Sequence, residues 1–276
     1  MKLSCLPVSL YDDIFSGNST VADWIRFAAE LGLDAVDFSI KFFPQRDAKT
    51  VNLIRTALAD NSIEACMIAC YSDFTHPDET QRKQELTNLK LDIVLAKDLG
   101  AKFVRVTAGQ NHPGIERADG VQWVTDGFRY TLDEAEKHGI TLAYENHTIG
   151  APWEYWDFSQ PSEIFLEILD ALSDTPLGVC FDTANPLVLK EDVLGLLDKV
   201  IERVVVLHVF DMREAGKFEP VRIGTGASPI PQIFSRMQQA NYDGWLSIEE
   251  ASRQGQSGFE EAITFVKQAW QQASSA

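Results

Sequence analysis

Basic residues are scarce in this chain. Lysine and arginine together number 24 against 41 acidic residues, which gives a formal net charge of -17 at pH 7, and the basic residues are scattered along the sequence. A surface of this sign repels the phosphate backbone of a nucleic acid and the headgroups of an anionic membrane. We therefore expect no nucleic acid and no membrane as partner, which leaves neutral small molecules as ligands.

The chain also lacks long apolar runs. The N-terminal MKLSCLPVSLYDD has one lysine and turns polar and acidic before the apolar stretch is long enough for a signal peptide or a membrane span. We therefore expect a cytoplasmic protein. No linker, charge run or low-complexity segment divides the sequence, so a single domain over residues 1–276 is predicted.

Cysteine is rare, with four residues at Cys5, Cys66, Cys70 and Cys180. Their spacing matches neither a zinc site nor a disulfide framework. Cys66 and Cys70 fall on one predicted strand and would lie about 13 Å apart, whereas a disulfide tolerates Cα atoms no more than roughly 7 Å apart. We expect buried, reduced thiols.

Short runs rich in valine, isoleucine, leucine and phenylalanine alternate eight times with stretches of helical periodicity. The predicted strands are Leu3 to Leu6, Ala35 to Ser39, Ile63 to Cys70, Phe103 to Thr107, Thr141 to Asn146, Leu177 to Asp182, Val204 to Val209 and Trp245 to Glu249. Such alternation predicts a parallel sheet covered by helices. Eight units in 276 residues are close to the roughly 250 residues of a (β/α)8 TIM barrel, so we predict this α/β fold.

The longer loops follow strands rather than precede them. ENHTIGAPWEYWDFSQPSE comes after the fifth strand and FDMREAGKFEPVRIGTGASPI after the seventh. In TIM barrels the loops at the carboxyl ends of the strands build the active site. The candidate site is therefore expected at that end.

Side chains that point into the barrel follow from the period of two along a strand. This count places Glu145 inward at the end of the fifth strand, and it places Asp182, His208 and Glu249 inward at the ends of the next three. Taken singly, such a histidine is more often a hydrogen-bonded core residue, and such a carboxylate is more often a helix cap or a solvated loop residue. Four of them on four consecutive strands favour one common site.

Three carboxylates packed together would repel one another and raise each other's pKa unless a cation lay between them. A divalent metal ion removes that conflict. One imidazole with three carboxylates is an oxygen-rich ligand set, which favours Mn²⁺ or Mg²⁺, with Co²⁺ or Zn²⁺ also compatible. We therefore predict one bound divalent cation and expect Mn²⁺ before the other ions. Octahedral coordination by the four residues would leave two positions open for substrate oxygens.

Arg105 is also expected inside the barrel, because Val104 and Val106 take the outward face. By the same count Asp37 points inward from the second strand. Alternate strands share layers in such barrels, so an ion pair between Asp37 and Arg105 near the mouth is one interpretation.

Six segments span nearly the whole chain in a characteristic order, namely AAELGLDAVDFS, YENH, GVCFDTAN, VVVLHVFD, IGTGASPI and YDGWLSIEE. In this order the sequence resembles the sugar phosphate isomerase/epimerase superfamily, the xylose-isomerase-like barrels that include the ketose 3-epimerases. The resemblance implies that Glu145, Asp182, His208 and Glu249 hold one divalent ion. It also implies that Glu145 and Glu249 are the acid and base on opposite sides of the substrate.

The resemblance implies a metal-dependent isomerase or epimerase of a keto-sugar or keto-polyol. A ketone oxygen and a neighbouring hydroxyl would chelate the metal, which stabilises the enediolate formed when one Glu removes a proton. Return of a proton to the opposite face gives epimerisation, return to the adjacent carbon gives isomerisation, and loss of a β-hydroxyl gives dehydration. The ligand set does not separate these outcomes, so a lyase or dehydratase acting on a keto-inositol or 3-keto-sugar is the alternative.

Further substrate contacts are expected around this centre. His147 follows the fifth strand and can orient a ligand or contact a substrate hydroxyl, and Arg105 is a second candidate. The family often has a substrate-binding arginine at the position of Arg213. Trp153 and Trp156 carry rings of the kind that stack on sugars, although a loop core is the alternative for both.

One position departs from the ketose 3-epimerases, which have a histidine three residues after the metal-binding aspartate. Asn185 stands there in this chain. This difference favours another polyol, a keto-inositol, a hydroxy-keto acid or a 3-keto-sugar as substrate. The GTG segment, Gly224 to Gly226, is interpreted as a turn rather than a phosphate cradle.

Two other functions belong to different classes. An abasic-site endonuclease of this fold needs a histidine-rich zinc cluster, whereas the chain has five histidines in all, His76, His112, His138, His147 and His208. A non-catalytic sugar-binding barrel would not need an opposed pair of glutamates. A small-molecule sugar or polyol is the expected partner, and a homo-oligomer is compatible with the sequence.

Overall fold

A computed structural model describes residues 1–150 and 152–274 of the chain. Within these residues there are eight strands, β1 (Lys2–Leu6), β2 (Ala35–Ser39), β3 (Glu64–Ala69), β4 (Phe103–Val106), β5 (Thr141–Glu145), β6 (Gly178–Asp182), β7 (Val204–Val209) and β8 (Trp245–Glu249). The helices in the same residues are α1 (Tyr11–Ser16), α2 (Val21–Glu30), α3 (Ala48–Asp60), α4 (Glu79–Leu99), α5 (Arg117–His138), α6 (Ser162–Ala171), α7 (Val193–Val200), α8 (Ile230–Gln239) and α9 (Gln256–Ala273).

All strand pairs are parallel, and the hydrogen-bonded order runs β1-β8-β7-β6-β5-β4-β3-β2. The two ends of this order, β1 and β2, face each other across a seam. The seam is bridged by a backbone bond from Asp34 N to Leu3 O of 2.9 Å and by the Ser4 hydroxyl, which donates to Asp37 Oδ2 at 2.7 Å. The sheet therefore forms a nearly closed barrel, and the predicted single-domain TIM barrel is confirmed.

The two faces of the strands pack against different neighbours, as the period of two requires. Ala143, Cys180, Val206 and Trp245 form a small apolar cluster inside the barrel. The alternate residues of the same strands, such as Tyr144, join the large core between the sheet and the helices. The inward side chains near the carboxyl ends of the strands are polar, so the apolar interior supports a polar mouth.

Helix ends follow local rules that the sequence displays. Thr20 and Asp23 form a reciprocal capping box at the start of α2, and Asp78 accepts a backbone N–H at the start of α4. At the other end, Gly100 and Gly139 adopt left-handed φ values of 79° and 68°. These glycines end α4 and α5 immediately before the next strand, which keeps the αβ connections short.

The predicted strands all exist, with boundaries that differ by at most one residue. All four cysteines are buried and free, as expected. Among the residues that the model describes, no helix combines the length and apolarity that a membrane crossing needs.

Candidate metal centre and active site

The ends of four consecutive strands meet at the mouth of the barrel. Glu145, Asp182, His208 and Glu249 each place one donor atom so that all four atoms lie within 4.8 Å of one another. His208 Nδ1 lies 2.5 Å from Glu145 Oε1 and 3.2 Å from Glu249 Oε2. The predicted group is thus brought together in space, and its atoms are close enough to share one ion.

The four side chains differ in their access to solvent. Glu145 is 1% exposed, and Asp182 and His208 are fully buried. The Glu249 side chain is 21% exposed. A substrate would therefore reach this group from the side of Glu249, while the other three form its floor and inner wall.

The Glu145 carboxylate is held in its ionised form. Burial by itself would raise its pKa, but the nearby charges of Arg105 and His208 outweigh burial and bring the pKa of Glu145 to about 2. Arg105 Nε lies 3.2 Å from Glu145 Oε2, and both side chains are almost completely buried. Glu145 is therefore a fixed anion, suited to hold a cation.

Asp182 has one satisfied oxygen and one free oxygen. Its Oδ1 accepts the backbone N–H groups of Ala184 and Asn185 at 2.7 and 2.6 Å, whereas its Oδ2 is buried and accepts no hydrogen bond from residues 1–150 or 152–274. Burial raises the pKa of Asp182 well above its usual value, and the adjacent Glu249 and Glu145 raise it further. A buried carboxylate oxygen without a donor, beside two other carboxylates, fits a divalent cation in this group.

Neighbouring groups also shift the pKa of His208. Burial lowers its pKa, but Cys180 and Glu145 oppose this and raise the pKa of His208 well above its usual value. Its Nδ1 faces Glu145, while its Nε2 is buried and has no hydrogen-bond partner in the described part of the chain. The imidazole therefore stands between the carboxylates and the barrel interior.

The interpretation that Arg105 pairs with Asp37 is wrong. Arg105 pairs with Glu145 on the neighbouring strand β5, and its Nη1 donates to Cys70 O at 2.9 Å. Asp37 lies deeper and accepts the hydroxyls of Ser4 and Ser247 at 2.7 and 2.6 Å. Asp37 thus has two serine hydroxyls as hydrogen-bond donors, and the Arg105 guanidinium pairs with Glu145 instead.

A second buried pair lies in the loop after β5. His147 Nδ1 lies 3.2 Å from Asp157 Oδ2. The other oxygen of Asp157 accepts both the N–H and the hydroxyl of Ser159 at 2.7 Å. Asp157 is 1% exposed and His147 is 7% exposed, so the carboxylate fixes the ring orientation and leaves Nε2 as the nitrogen that can meet a ligand.

Aromatic rings surround this histidine. The Trp153 ring lies 5.3 Å from the His147 ring at 89°, and the Tyr71 ring lies 6.4 Å from each of them. Tyr71 also lies over the Arg105 guanidinium, 4.6 Å from ring centroid to carbon. Tyr71 therefore joins the wall formed by the β5 loop to the charged centre.

The remaining predicted contacts lie in different places. Asn185 is buried three residues after Asp182 and accepts the Thr148 hydroxyl through its backbone oxygen. Arg213 is largely exposed and paired with Glu219, so its side chain is outside the buried centre. Trp156 is 44% exposed, with its ring 6.2 Å from that of Phe218.

The GTG segment in the loop after β7 folds around a side chain of the protein. The Asp211 carboxylate accepts the N–H groups of Gly224, Gly226 and Ser228 at 3.0, 2.8 and 3.0 Å. Gly224 has a φ of 89°, which favours glycine there. The interpretation of GTG as a turn agrees with this geometry.

Three neighbours of the centre were not identified from the sequence, namely Tyr71, Asp157 and Cys180. Tyr71 directly follows the third predicted strand, so its place at a strand end was an available signal. Asp157 sits in an irregular loop, where no periodicity shows orientation. Cys180 lies two positions before Asp182 on β6, hence on the same inner face, but the sequence predicted it only as a buried thiol.

Comparison with known proteins gives several matches. A fructoselysine 3-epimerase of Shigella flexneri is 25% identical over 174 residues, and the match spans 62% of this chain and 60% of that protein, less than two thirds of the relative's length. An L-ribulose-5-phosphate 3-epimerase of Salmonella typhi is 23% identical over 260 residues, 88% of this chain and 87% of that protein.

Solved structures share the fold at low sequence identity. A D-tagatose 3-epimerase-like protein superposes with a TM-score of 0.81 at 16% identity, covering 100% of this chain and 99% of that one. A probable 3-DHS dehydratase from Bacillus anthracis superposes with a TM-score of 0.76 at 15% identity, covering 97% and 99%. A family model described as a xylose isomerase-like TIM barrel matches residues 25–269. The chain belongs to the xylose isomerase-like TIM barrel family.

Proposed function

We propose that the protein is a divalent-metal-dependent isomerase or epimerase that moves a proton beside the carbonyl group of a keto-sugar or keto-polyol. The observation that carries the proposal is the convergence of Glu145, Asp182, His208 and Glu249 within 4.8 Å at the mouth of the barrel. The sugar epimerases among the relatives support the same reaction class.

The four residues of this group would hold one hard cation, with Mn²⁺ the expected ion. The free oxygen of Asp182 and the ionised Glu145 supply the negative charge that such an ion needs. When bound, the ion acts as a Lewis acid that polarises the substrate carbonyl and stabilises the negative charge that develops on its oxygen. His208 would be neutral in that state, with Nδ1 as its donor atom, because Nδ1 faces the carboxylates.

The two glutamates would divide the proton transfer between them. Glu249 is the more exposed of the two and lies on the side from which a substrate enters, so its carboxylate would take the substrate proton. Glu145 is fixed by Arg105 of the neighbouring strand β4 and would face the other side of the reacting carbon. A proton taken on one side and returned on the other inverts that carbon.

The substrate class follows from the groups that surround the centre. His147 and Asn185 offer polar atoms beside it, and Trp153 and Tyr71 offer ring surfaces that pack on the C–H face of a sugar. Arg105 would position the substrate through Glu145, with which it is paired. The exposed Arg213 would contact a substrate only if the β7 loop moved inward.

A dehydratase acting on a related keto compound is the second candidate. The observation that favours it is the buried Asp157 and His147 pair, since elimination of a β-hydroxyl needs a further group that donates a proton to the leaving oxygen. His147 is among the charges that act on Glu145, so its ring lies near enough to the centre for such a function.

The test is solvent deuterium exchange into a panel of keto-sugars and keto-polyols, with the protein first stripped of metal and then supplied with Mn²⁺. The proposal expects metal-dependent incorporation of one deuterium beside the carbonyl, with an epimer or isomer as product. Loss of water from the substrate would select the dehydratase. Absence of both exchange and elimination across the panel, with Mn²⁺ bound, would refute the enzyme proposal in favour of a binding protein.

A further inference from the structure

A second set of donor atoms shares two members with the carboxylate group. Glu145, Cys180 and His208 also place one donor atom each within 4.8 Å of one another, and all three side chains are buried. Cys180 and Asp182 lie on the same face of β6, two positions apart. The thiol therefore lies one step deeper in the barrel than the carboxylate, beneath the same glutamate and histidine.

Both sets include His208, so the surroundings of its ring bear on both. Nδ1 faces Glu145 and Glu249, so Nε2 lies on the other edge of the ring. Nε2 is completely buried and has no hydrogen-bond partner among the residues that the structure describes. A histidine that binds a metal through one nitrogen ordinarily donates its other N–H to an oxygen. In the part of the chain that the structure describes, Nε2 meets no such oxygen, and the Cys180 sulfur lies close enough to His208 for the two to share one ion.

Sulfur changes the class of metal ion that the mouth of the barrel can bind. Soft thiolate ligands select thiophilic ions, whereas carboxylates suit hard ions such as Mn²⁺ and Mg²⁺. The other three cysteines are buried and free, and none belongs to a group of converging donor atoms among the described residues. Cys180 is thus distinguished from them by its neighbours, not by its burial.

We propose that a thiophilic dication, with Cd²⁺ as the probe, binds to Glu145, Cys180 and His208 in place of the hard ion. The Cys180 Sγ–H bond breaks as the sulfur–metal bond forms, the proton leaves to the solvent, and no atom changes oxidation state. Because both sets use Glu145 and His208, the thiophilic ion and the hard ion exclude each other. β6 then offers two alternative ligands, Asp182 for the hard ion and Cys180 for the soft one.

In the experiment, the metal-free protein is titrated with Cd²⁺. Binding is monitored by the ultraviolet charge-transfer absorption of a cadmium–thiolate bond. We expect this absorption to grow until one Cd²⁺ is bound per chain. Cys180→Ser should abolish it, whereas Cys66→Ser, which removes another buried thiol of the barrel interior, should retain it. Asp182→Asn should also retain it, because Asp182 belongs only to the hard-ion set.

A second experiment measures competition between the two ions. Cd²⁺ is added to protein loaded with Mn²⁺, and the released Mn²⁺ is measured by electron paramagnetic resonance. Release in step with the thiolate absorption supports the proposal. This experiment depends on the proposed carboxylate centre, whereas the absorption does not, so failure of one proposal is distinguishable from failure of the other.

No thiolate absorption in the wild type, or equal absorption in Cys180→Ser, would overturn the inference. Loss of the absorption in Asp182→Asn would overturn it as well, since the thiolate site would then depend on a ligand outside the proposed set. Circular dichroism verifies the fold of each variant, and Cys180→Ala replaces the serine variant if that one does not fold.

Discussion

Glu145 combines contacts that a surface carboxylate does not have. It is paired with the buried Arg105, faces the imidazole of His208 and is 1% exposed. Burial opposes ionisation, yet these partners bring the pKa of Glu145 to about 2. The residue is thus expected to be ionised at neutral pH, and the function proposed for it depends on that charge.

Glu145→Gln removes the charge while keeping the shape of the side chain. We expect turnover to fall by about 10²- to 10⁴-fold, with Mn²⁺ binding weakened and the circular dichroism spectrum unchanged. Steady-state kinetics and metal analysis of the purified variant measure both effects. Glu163→Gln on the surface of α6 is the matched control, because Glu163 is 70% exposed and paired with Arg117. Turnover at the wild-type level in Glu145→Gln would contradict the assignment.

If the Asp157 and His147 pair takes part in the reaction, Asp157 does so by holding the His147 ring in one orientation. Asp157→Ala leaves Nδ1 of His147 without its carboxylate partner, so the ring loses its fixed orientation. We expect kcat/KM to fall by about 10- to 100-fold, comparable with the loss of a group that orients a site histidine. His147→Ala should cost a similar factor.

The double variant separates this function from a purely structural one. If Asp157 acts through His147, the double variant should be no slower than His147→Ala, because the second change removes a contact that is already absent. Losses that multiply in the double variant would show that Asp157 affects activity through the loop alone. Thermal unfolding of all three variants provides the stability control.

At the scale of elements, helix α4 carries a buried carboxylate that does not belong to the converging donors among the described residues. Asp92 is 5% exposed and pairs with Arg46, which follows β2. Burial raises the pKa of Asp92 to about 6, although Arg46 and Cys70 act in the opposite direction. The folded protein therefore binds this proton more tightly than the unfolded chain does, whose pKa is about 3.9.

The sign of the pH effect follows from that difference. The contribution of Asp92 to stability is fully present below about pH 4 and is lost as the pH rises through about 6. We expect Asp92→Asn to remove this dependence, so that the stability difference between wild type and variant changes by up to about 3 kcal/mol between pH 7 and pH 4. Urea unfolding at several pH values measures it.

Asp98→Asn on the same helix is the control, since Asp98 is 38% exposed in its side chain and paired with Lys97. A stability difference for Asp92→Asn that does not change with pH would contradict the prediction. The measurement is independent of any metal, because Asp92 is not one of the converging donors.

The elements of the barrel could be predicted because each depends on neighbours in the sequence. Strand parity placed Glu145 and His208 inward, since the alternation along a strand is a local property. The Asp37 and Arg105 pairing was wrong because it depends on how deep each residue lies in the barrel. The Asp157 and His147 contact could not be predicted, since it arises from the path of an irregular loop.

At the scale of the whole molecule, three buried or half-buried carboxylates converge at one end of the barrel. Bringing them together costs free energy that a bound cation would offset. Metal binding should therefore stabilise the fold, by about 2.7 kcal/mol at a Mn²⁺ concentration 100 times the dissociation constant. Thermal unfolding with a chelator and then with added Mn²⁺ measures the shift.

Asp182→Asn sharpens this test. The variant removes one of the converging charges, so without metal it should unfold at a temperature equal to or above that of the wild type. With Mn²⁺ added it should gain less than the wild type, because a ligand is missing. A variant that gains as much stability from Mn²⁺ as the wild type would show that the ion binds elsewhere.

The Asp211 carboxylate already occupies the backbone N–H groups of the GTG turn. A phosphoryl group that approached this turn would meet a carboxylate that already accepts these donors, on a protein whose formal charge is -17. We therefore propose that an unphosphorylated sugar is a better match to this mouth than a phosphate ester.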